Sequence, residues 1–316
     1  YILFGVIDII RYCHRERFDI LHVHWPFPHG IFGYVGGRLS RSKLILNFHG
    51  AELSLIGELG FVKIVLAWLI KRADRVIANS SFTANKVRVV YKRAVEVIPY
   101  GSPFEQKDVG RPVSSGRSES EETRNVLFVG RLIERKGVEY LVKAIKLVNQ
   151  SVKARLIVVG EGHQRRGIEE LVKKKGLSDA VKLVGKVDSK QLDRYYRGCD
   201  VFVLPAIVDS KGDTEGLGVV LLEALSYKKP VVATDVGGIA DIIVNDETGI
   251  LVPEKDPLAL ANAIVRVLED GQLARRLGSK GYEYIRARFS WSKVTDGIID
   301  VYRGTVEHED PAFNIR

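Results

Sequence analysis

Short apolar runs rich in Val, Ile and Leu recur along the chain, and between them apolar positions return every three or four residues. The first pattern is that of strands buried on both faces and the second that of helices packed on them, so their alternation predicts an α/β fold with parallel sheets. Strands are expected at Asp19–His24, Lys43–Phe48, Arg75–Ala78 and Val95–Pro99. A second set is expected near Asn125–Val129, Ala154–Val159, Val181–Val184, Asp200–Pro205, Pro230–Thr234 and Gly249–Pro253. Those six, with crossover helices, make a complete doubly wound domain. Residues 105–124, rich in Ser, Gly and charge, read as a linker or exposed loop. A last helix is expected after Phe289, with Ser290 as N-cap and Val294, Ile298, Val301 and Tyr302 at helical spacing. That stripe suits either a local core or a helix returning to the first domain. The organisation expected is thus a first domain over 1–104, a linker over 105–124, a second domain over 125–289 and a closing helix over 290–316. The first domain opens in what reads as the middle of a helix (Phe4, Ile7, Ile10, Tyr12), which would leave Asp19–His24 with a bare edge. Further strands ahead of it are therefore expected.

At 316 residues the chain exceeds a usual single core, in keeping with two domains. Its net charge of +9 favours an anionic partner such as a nucleotide, an acidic membrane surface or nucleic acid. Nucleic acid is disfavoured, because the basic residues are scattered and no zinc-finger or RNA-recognition signature occurs. Cys13 and Cys199 lie far apart without a C-x-x-C pair, which argues against a disulfide framework and fits a reducing, cytoplasmic setting. No apolar run reaches the roughly 20 residues that span a bilayer, and the start shows no cleavable signal pattern. The nearest, Phe61 to Ile70, is broken by Lys63 and followed by Lys71 and Arg72, and reads as a buried helix or as an interfacial one resting on anionic lipid. Absent methionine, few Asn and Gln and abundant Lys, Arg and Glu form a combination that thermophiles show.

The segment Asp213 to Glu223 (DTEGLGVVLLE) carries the most chemistry. Gly216 and Gly218 let a ligand approach the backbone, and the N–H groups that open the following helix are unpaired donors with the positive end of the dipole behind them. If helical throughout, Glu215 and Glu223 stand about 12 Å apart, roughly the reach from a sugar across a diphosphate to a ribose. Each carboxylate could accept hydroxyl hydrogen bonds there; the plainer reading is a solvated helix position and a first-turn carboxylate. The company of Asn125 to Gly137 (NVLFVGRLIERKG) weighs for the ligand, since it places Arg131 at a strand end and Lys136 just before a helix. Arg135 is an alternative cation. His22 and His24 share one strand face, which could suggest a metal, but no carboxylate stands at a suitable spacing and they read as packing or acceptor-side residues.

These segments together resemble the retaining nucleotide-sugar glycosyltransferases of family 4, with the GT-B architecture of two Rossmann-like domains facing a cleft. Beside the paired-glutamate motif Glu215 to Glu223, the resemblance rests on Phe128-Val-Gly-Arg-Leu with Arg135-Lys-Gly, Val159-Gly-Glu-Gly162, Asp200 to Pro205, Val236-Gly-Gly238 and Thr248 to Pro253. In the first domain, His49-Gly-Ala-Glu52 and Ile98-Pro-Tyr-Gly101 fall where the family has His-Gly-x-Asp and Ile-Pro-Asn-Gly. The resemblance implies that Arg131 and Lys136 clamp the diphosphate and stabilise its growing charge. Glu223 would bind the ribose, Glu215 the donor sugar, and the backbone of Gly216, Leu217, Gly218 and Val219 the sugar and phosphate. Gly130, Glu161 and the segment carrying Val184 and Lys186 would complete the donor site, with the last against the base. His49 would reach across to the sugar near its reacting carbon. No metal cofactor is implied, because no Asp-x-Asp occurs and the cations with the helix end neutralise the diphosphate. The resemblance also implies a hexosyl donor, UDP- or GDP-linked, and a sugar, lipid-linked or small-metabolite acceptor, with peripheral membrane contact as a further expectation. The family's first strand and glycine-rich loop have no counterpart here, Glu52 replaces the usual Asp, Asp241 follows Gly-Gly-Ile-Ala where many members have Gly-Gly-x-Pro-Glu, and Tyr100 replaces Asn. The rival readings are a sugar-nucleotide 2-epimerase of the same architecture and a nucleotide-sugar-binding module without full activity. A nicotinamide dehydrogenase is set aside, because Gly160-Glu-Gly162 lacks the third glycine of the dinucleotide fingerprint.

Overall fold

The computed structural model describes residues 2–50, 52–53, 60–102 and 123–307, so nearly all of the segment expected as a linker lies outside the described residues. The chain divides into two units, one formed by Tyr1–Tyr100 with Trp291–Arg316 and the other by Gly101–Ser290.

The first unit holds four parallel strands in sequential order, β1 (Ile20–His24), β2 (Lys43–Phe48), β3 (Arg75–Ala78) and β4 (Glu96–Val97). Its described helices are α1 (Ile2–Arg15), α2 (Pro26–Ser40), α3 (Gly60–Ile70) and α4 (Ser81–Tyr91). Strand alternation decides what each face carries. Val23, Leu44, Leu46, Phe48, Val76 and Ala78 point into one core with Val62, Leu66, Leu69 and Ile70 of α3. Ile45 and Ile77 point the other way, onto Val301 of the chain's last described helix (Trp291–Val306). Period two therefore puts His22 and His24 on that second face, where Tyr302 donates to or accepts from His22 Nδ1 at 2.8 Å. β4 is shorter than the expected Val95–Pro99, since Pro99 has no N–H to extend the ladder; Ile98 N–H still reaches Ala78 O at 2.9 Å.

The second unit contains a six-stranded parallel sheet in the order β10-β9-β8-β5-β6-β7. Its strands are β5 (Arg124–Val129), β6 (Ala154–Val159), β7 (Val181–Gly185), β8 (Val201–Leu204), β9 (Val231–Thr234) and β10 (Ile250–Val252). The connecting helices are α5 (Val138–Val148), α6 (Arg165–Lys174), α7 (Ser189–Gly198), α8 (Val219–Ser226), α9 (Pro257–Glu269) and α10 (Gly271–Arg288), and α11 (Trp291–Val306) then passes to the first unit. Buried on both faces, the central strands read as continuous apolar runs: Val126 to Phe128 and Val201 to Leu204 are fully buried. The strand order reverses between β5 and β8, which is where a doubly wound sheet opens a crevice at its carboxyl edge.

Candidate active site

Four loops meet at that crevice, leaving β5, β6, β8 and β9, and their backbones touch. Gly160, at φ +135°, sits so close that an added Cβ would lie 1.9 Å from Gly130 O. Gly237, at φ +60°, would place one 2.0 Å from Glu215 O, and the neighbouring Gly238 N–H donates to that same oxygen at 2.9 Å. The Gly-Glu-Gly and Gly-Gly pairs are thus steric requirements of a loop assembly, and that assembly carries the charged groups. Glu134 accepts from Ser210 N–H at 2.9 Å and from Ser210 Oγ at 2.7 Å, and Glu254 accepts from Val208 N–H at 2.7 Å, so the loop after β8 is tied at both ends.

Glu215 is buried in this assembly and pairs with the equally buried Lys136 ammonium. Arg135 Nη1 lies 3.3 Å from the same Glu215 oxygen, 3.3 Å from Thr214 O, and its Nε lies 3.5 Å from Asp213. Burial pushes the Glu215 carboxyl up, but Lys136, Arg135 and the nearby Arg131 charge outweigh it and hold the group below the usual carboxylate range. Arg131 is exposed, and with Gly130 it lines a cavity of about 350 Å³ that also takes in Val129, Glu161, Lys186 and Val187. Of the residues expected to lie against a base, Lys186 and Val187 line the cavity, whereas Val184 stays half-buried in β7. Glu161 reaches Arg165 at 2.5 Å.

α8 opens only at Val219, because Gly218 at φ +90° caps it in the left-handed region. Leu217 is buried ahead of the cap, and Glu215 lies outside the helix, so a helical rise does not set its separation from Glu223. Among the described residues, the N–H groups of Gly218, Val219 and Val220 find no backbone acceptor. They are the donors a helix start leaves free for an anion. Glu223 accepts from Tyr196 Oη at 2.6 Å, and its second oxygen has no donor among the described residues. Burial raises its carboxyl, partly opposed by the Tyr196 hydrogen bond. Nothing in the sequence around α7 marked Tyr196 as its partner.

At the carboxyl edge of the first unit's sheet, His49 follows β2. Its N–H donates to the buried Glu52 at 2.6 Å, and the raised Glu52 carboxyl reflects burial working against hydrogen bonds from the backbone of Glu52, His49 and Gly50. Those N–H groups give the acidic residue of His49-Gly-Ala-Glu52 its structural task. His49 Nδ1 meets Tyr100 Oη, and Nε2 lies 3.1 Å from His24 Nδ1. Trp25, His24 and Tyr100 all stack on the His49 ring, with centroids at 5.3, 5.2 and 5.6 Å. Tyr100, in place of the family's Asn, therefore orients His49. Asn79 donates to the Tyr100 oxygen, leaving the phenol proton for His49 Nδ1 and Nε2–H as the His49 donor.

Burial first, and then the neighbouring rings, bring His22 and His49 down to about 4; burial lowers His24 as well. The neutral rings are favoured by folding, so the unfolded chain binds more protons once pH falls below about 6.5. This contribution to stability is present above that value and is lost as pH drops toward about 4. Protonation of Glu52 acts in the opposite sense. Histidine proton resonances of His22 and His49 should accordingly titrate near pH 4, and His49→Gln should flatten the acid-side fall in melting temperature by roughly 2–5 °C. Midpoints near 6.5 would show the rings to be solvated.

The model of glycosyl transferases group 1 matches residues 113–284, more than half of the chain, and that of glycosyltransferase family 4 matches residues 1–105. An uncharacterised glycosyltransferase of Methanocaldococcus jannaschii is 31% identical over 311 residues, covering 92% of this chain and 77% of that protein. The GDP-mannose-dependent alpha-(1-6)-phosphatidylinositol monomannoside mannosyltransferase of Mycobacterium tuberculosis is 29% identical over 271 residues, covering 83% of this chain and 70% of that one. Among solved structures, sucrose-phosphate synthase of Thermosynechococcus elongatus superposes with a TM-score of 0.76 at 29% identity over 95% of this chain and 76% of that one. These are transferases, and nothing in them favours the epimerase alternative. With both family models falling on the two α/β units, the chain belongs to the group 1 glycosyl transferases and is a glycosyltransferase of the GT-B, family 4 type.

Proposed function

We propose that this glycosyltransferase moves a hexosyl group from a UDP- or GDP-linked sugar to a hydroxyl acceptor, with retention at the anomeric carbon and without a metal. The observation that carries the reading is the buried Lys136–Glu215 pair at the strand-order reversal, beside Arg131 and the free N–H groups that open α8. A diphosphate placed there meets Arg131, Lys136 and the N–H groups of Gly218 and Val219, while Glu215 and Gly216 take the sugar, Glu223 the ribose, and Lys186 and Val187 the base. Electrostatics support the cationic part of this division of labour: the charge that grows on the departing phosphate is opposite to that of Arg131 and Lys136, so they bind the transition state better than the ground state. The C1–phosphate oxygen bond breaks, the acceptor oxygen bonds to the same face of C1, and its proton passes to the leaving phosphate. His49, neutral and fixed by Tyr100, is read as contacting the sugar near its reacting carbon, its Nε2–H turning from His24 Nδ1 to donate there. The acceptor is a sugar, a lipid-linked group or a small metabolite, and the exposed side of α3 supports peripheral contact with an anionic membrane.

UDP-, GDP- and ADP-sugars tested in turn should yield one that raises the melting temperature by about 5 °C or more at saturation. With that donor, the product should keep the donor's anomeric configuration, and a chelator should leave its rate unchanged. An inverted product, or loss of turnover on chelation, would overturn the corresponding part of the reading.

A further inference from the structure

At the amino edge of the first unit's sheet, opposite the edge that carries His49, lies a cavity of about 310 Å³. The end of α2, the start of β2 and the turn into β3 form it, and Tyr34, Arg38, Arg41, Lys43, Arg72 and Asp74 line it. Asp74 is the lone carboxylate of the lining and is already engaged, accepting from Leu44 N–H at 2.7 Å and lying 3.8 Å from Lys43 Nζ. Three guanidinium groups are left over. Arg38 and Arg41 are exposed, and neither pairs with a carboxylate among the described residues. Arg72 is held at the rim, where Nη1 donates to Trp68 O at 3.2 Å and the guanidinium lies 4.4 Å from the centroid of the Trp68 ring.

Trp68 joins this basic cavity to an apolar surface. Phe61, Ile64 and Trp68 of α3 are 55%, 72% and 37% exposed and fall on one side of the helix at intervals of three and four residues, and Arg72 follows in the turn two residues past the helix end with its guanidinium over the Trp68 ring. The inner side is already filled by Val62, Leu66, Leu69 and Ile70. A helix apolar on both sides whose outer stripe ends among arginines has the chemistry of a bilayer surface, with acyl chains against the stripe and phosphodiesters against the guanidinium forks.

We propose that this cavity and the outer stripe of α3 seat the first unit on an anionic phospholipid bilayer. Arg38, Arg41 and Arg72 hold a headgroup phosphodiester, and Phe61, Ile64 and Trp68 enter the acyl boundary. This rests on the peripheral contact read above and assigns its residues. The helix is about 16 Å long and would lie flat in the interface. The net charge of the chain alone would draw it weakly to any acidic surface, so the test must separate location from total charge.

Flotation of the full chain with phosphatidylcholine vesicles, and with vesicles containing about one-third phosphatidylglycerol, supplies that test. Binding is expected to the anionic vesicles alone, falling at least about tenfold in the double variant Arg38→Glu, Arg41→Glu and in Ile64→Asp, Trp68→Ser. The double variant Lys173→Glu, Lys174→Glu on α6 makes the same charge change elsewhere and should stay within about twofold of wild type. No vesicle binding by the wild type would overturn the peripheral reading and the cavity together. Binding that survives the Arg38 and Arg41 reversals, or that falls equally with Lys173 and Lys174, would overturn the cavity alone. A thermal shift by inorganic phosphate that needs Arg38 and Arg41, without vesicle binding, would assign the cavity to a soluble phosphate and overturn the lipid. Transfer to a soluble acceptor without vesicles should be unchanged in all three variants, which keeps a failure here distinct from a failure of the transferase reading.

Discussion

Lys136→Ala should lower kcat for sugar transfer by about a thousandfold or more, because the ammonium has two tasks and Arg135 shares only the second. In the proposed donor site the ammonium faces the position where diphosphate charge grows, and it neutralises Glu215, which is buried with it. Arg135 cannot move in to meet the diphosphate, being committed to Asp213, Thr214 O and the same Glu215 oxygen. Losing one partner of a buried pair also costs stability, up to about 3–5 kcal/mol, since the remaining carboxylate keeps only Arg135, at 3.3 Å, as an adjacent counter-charge. The two effects separate in the double variant Lys136→Ala, Glu215→Gln. Removing the under-compensated charge should restore much of the melting temperature, whereas turnover should stay absent because the cation is still missing. A folded Lys136→Ala enzyme with near-normal kcat would remove Lys136 from the chemistry.

The sheets were legible in the sequence because their strands are buried on both faces. Val126 to Phe128, Val201 to Leu204 and Val231 to Ala233 have no polar side to blur the pattern, and the largest misjudgement of length falls on an edge, Glu96–Val97. The site was legible as a set of residue types: glycines where backbones meet, cations ahead of helix starts, and a glutamate before Gly216. What was not legible was the pairing. Lys136 and Glu215 lie 79 residues apart, and a pair brought together by strand order leaves no local signature. The same holds for Tyr196 with Glu223 and for Tyr100 with His49. The helical spacing assumed between Glu215 and Glu223 failed for a local reason, since Gly218 takes a left-handed conformation and starts α8 only after it. The apolar run of α3 reads first as a buried helix with an interfacial one as the alternative, and the structure places Leu66 and Leu69 in the core and Ile64 and Trp68 outward.

Gly237→Ala should destabilise the second unit by about 2–4 kcal/mol and weaken donor binding by at least about tenfold. Two separate costs add at this position. A left-handed backbone costs an alanine about 1 kcal/mol, and the new methyl would lie 2.0 Å from Glu215 O. Relief of that contact requires the Glu215 carbonyl to move, which breaks its hydrogen bond from Gly238 and turns the carboxylate away from Lys136. Gly176→Ala isolates the first cost, because Gly176 has φ +68° with nothing within 4 Å of the added Cβ. It should lose only about 1 kcal/mol and bind donor normally. Chemical denaturation and donor titration of both variants measure the difference, and that difference is the strength with which the loop after β9 holds Glu215 in place. Equal losses in the two variants, with donor affinity intact in both, would mean that the Gly-Gly pair serves backbone conformation alone and that Glu215 is positioned by its cations without help from this loop.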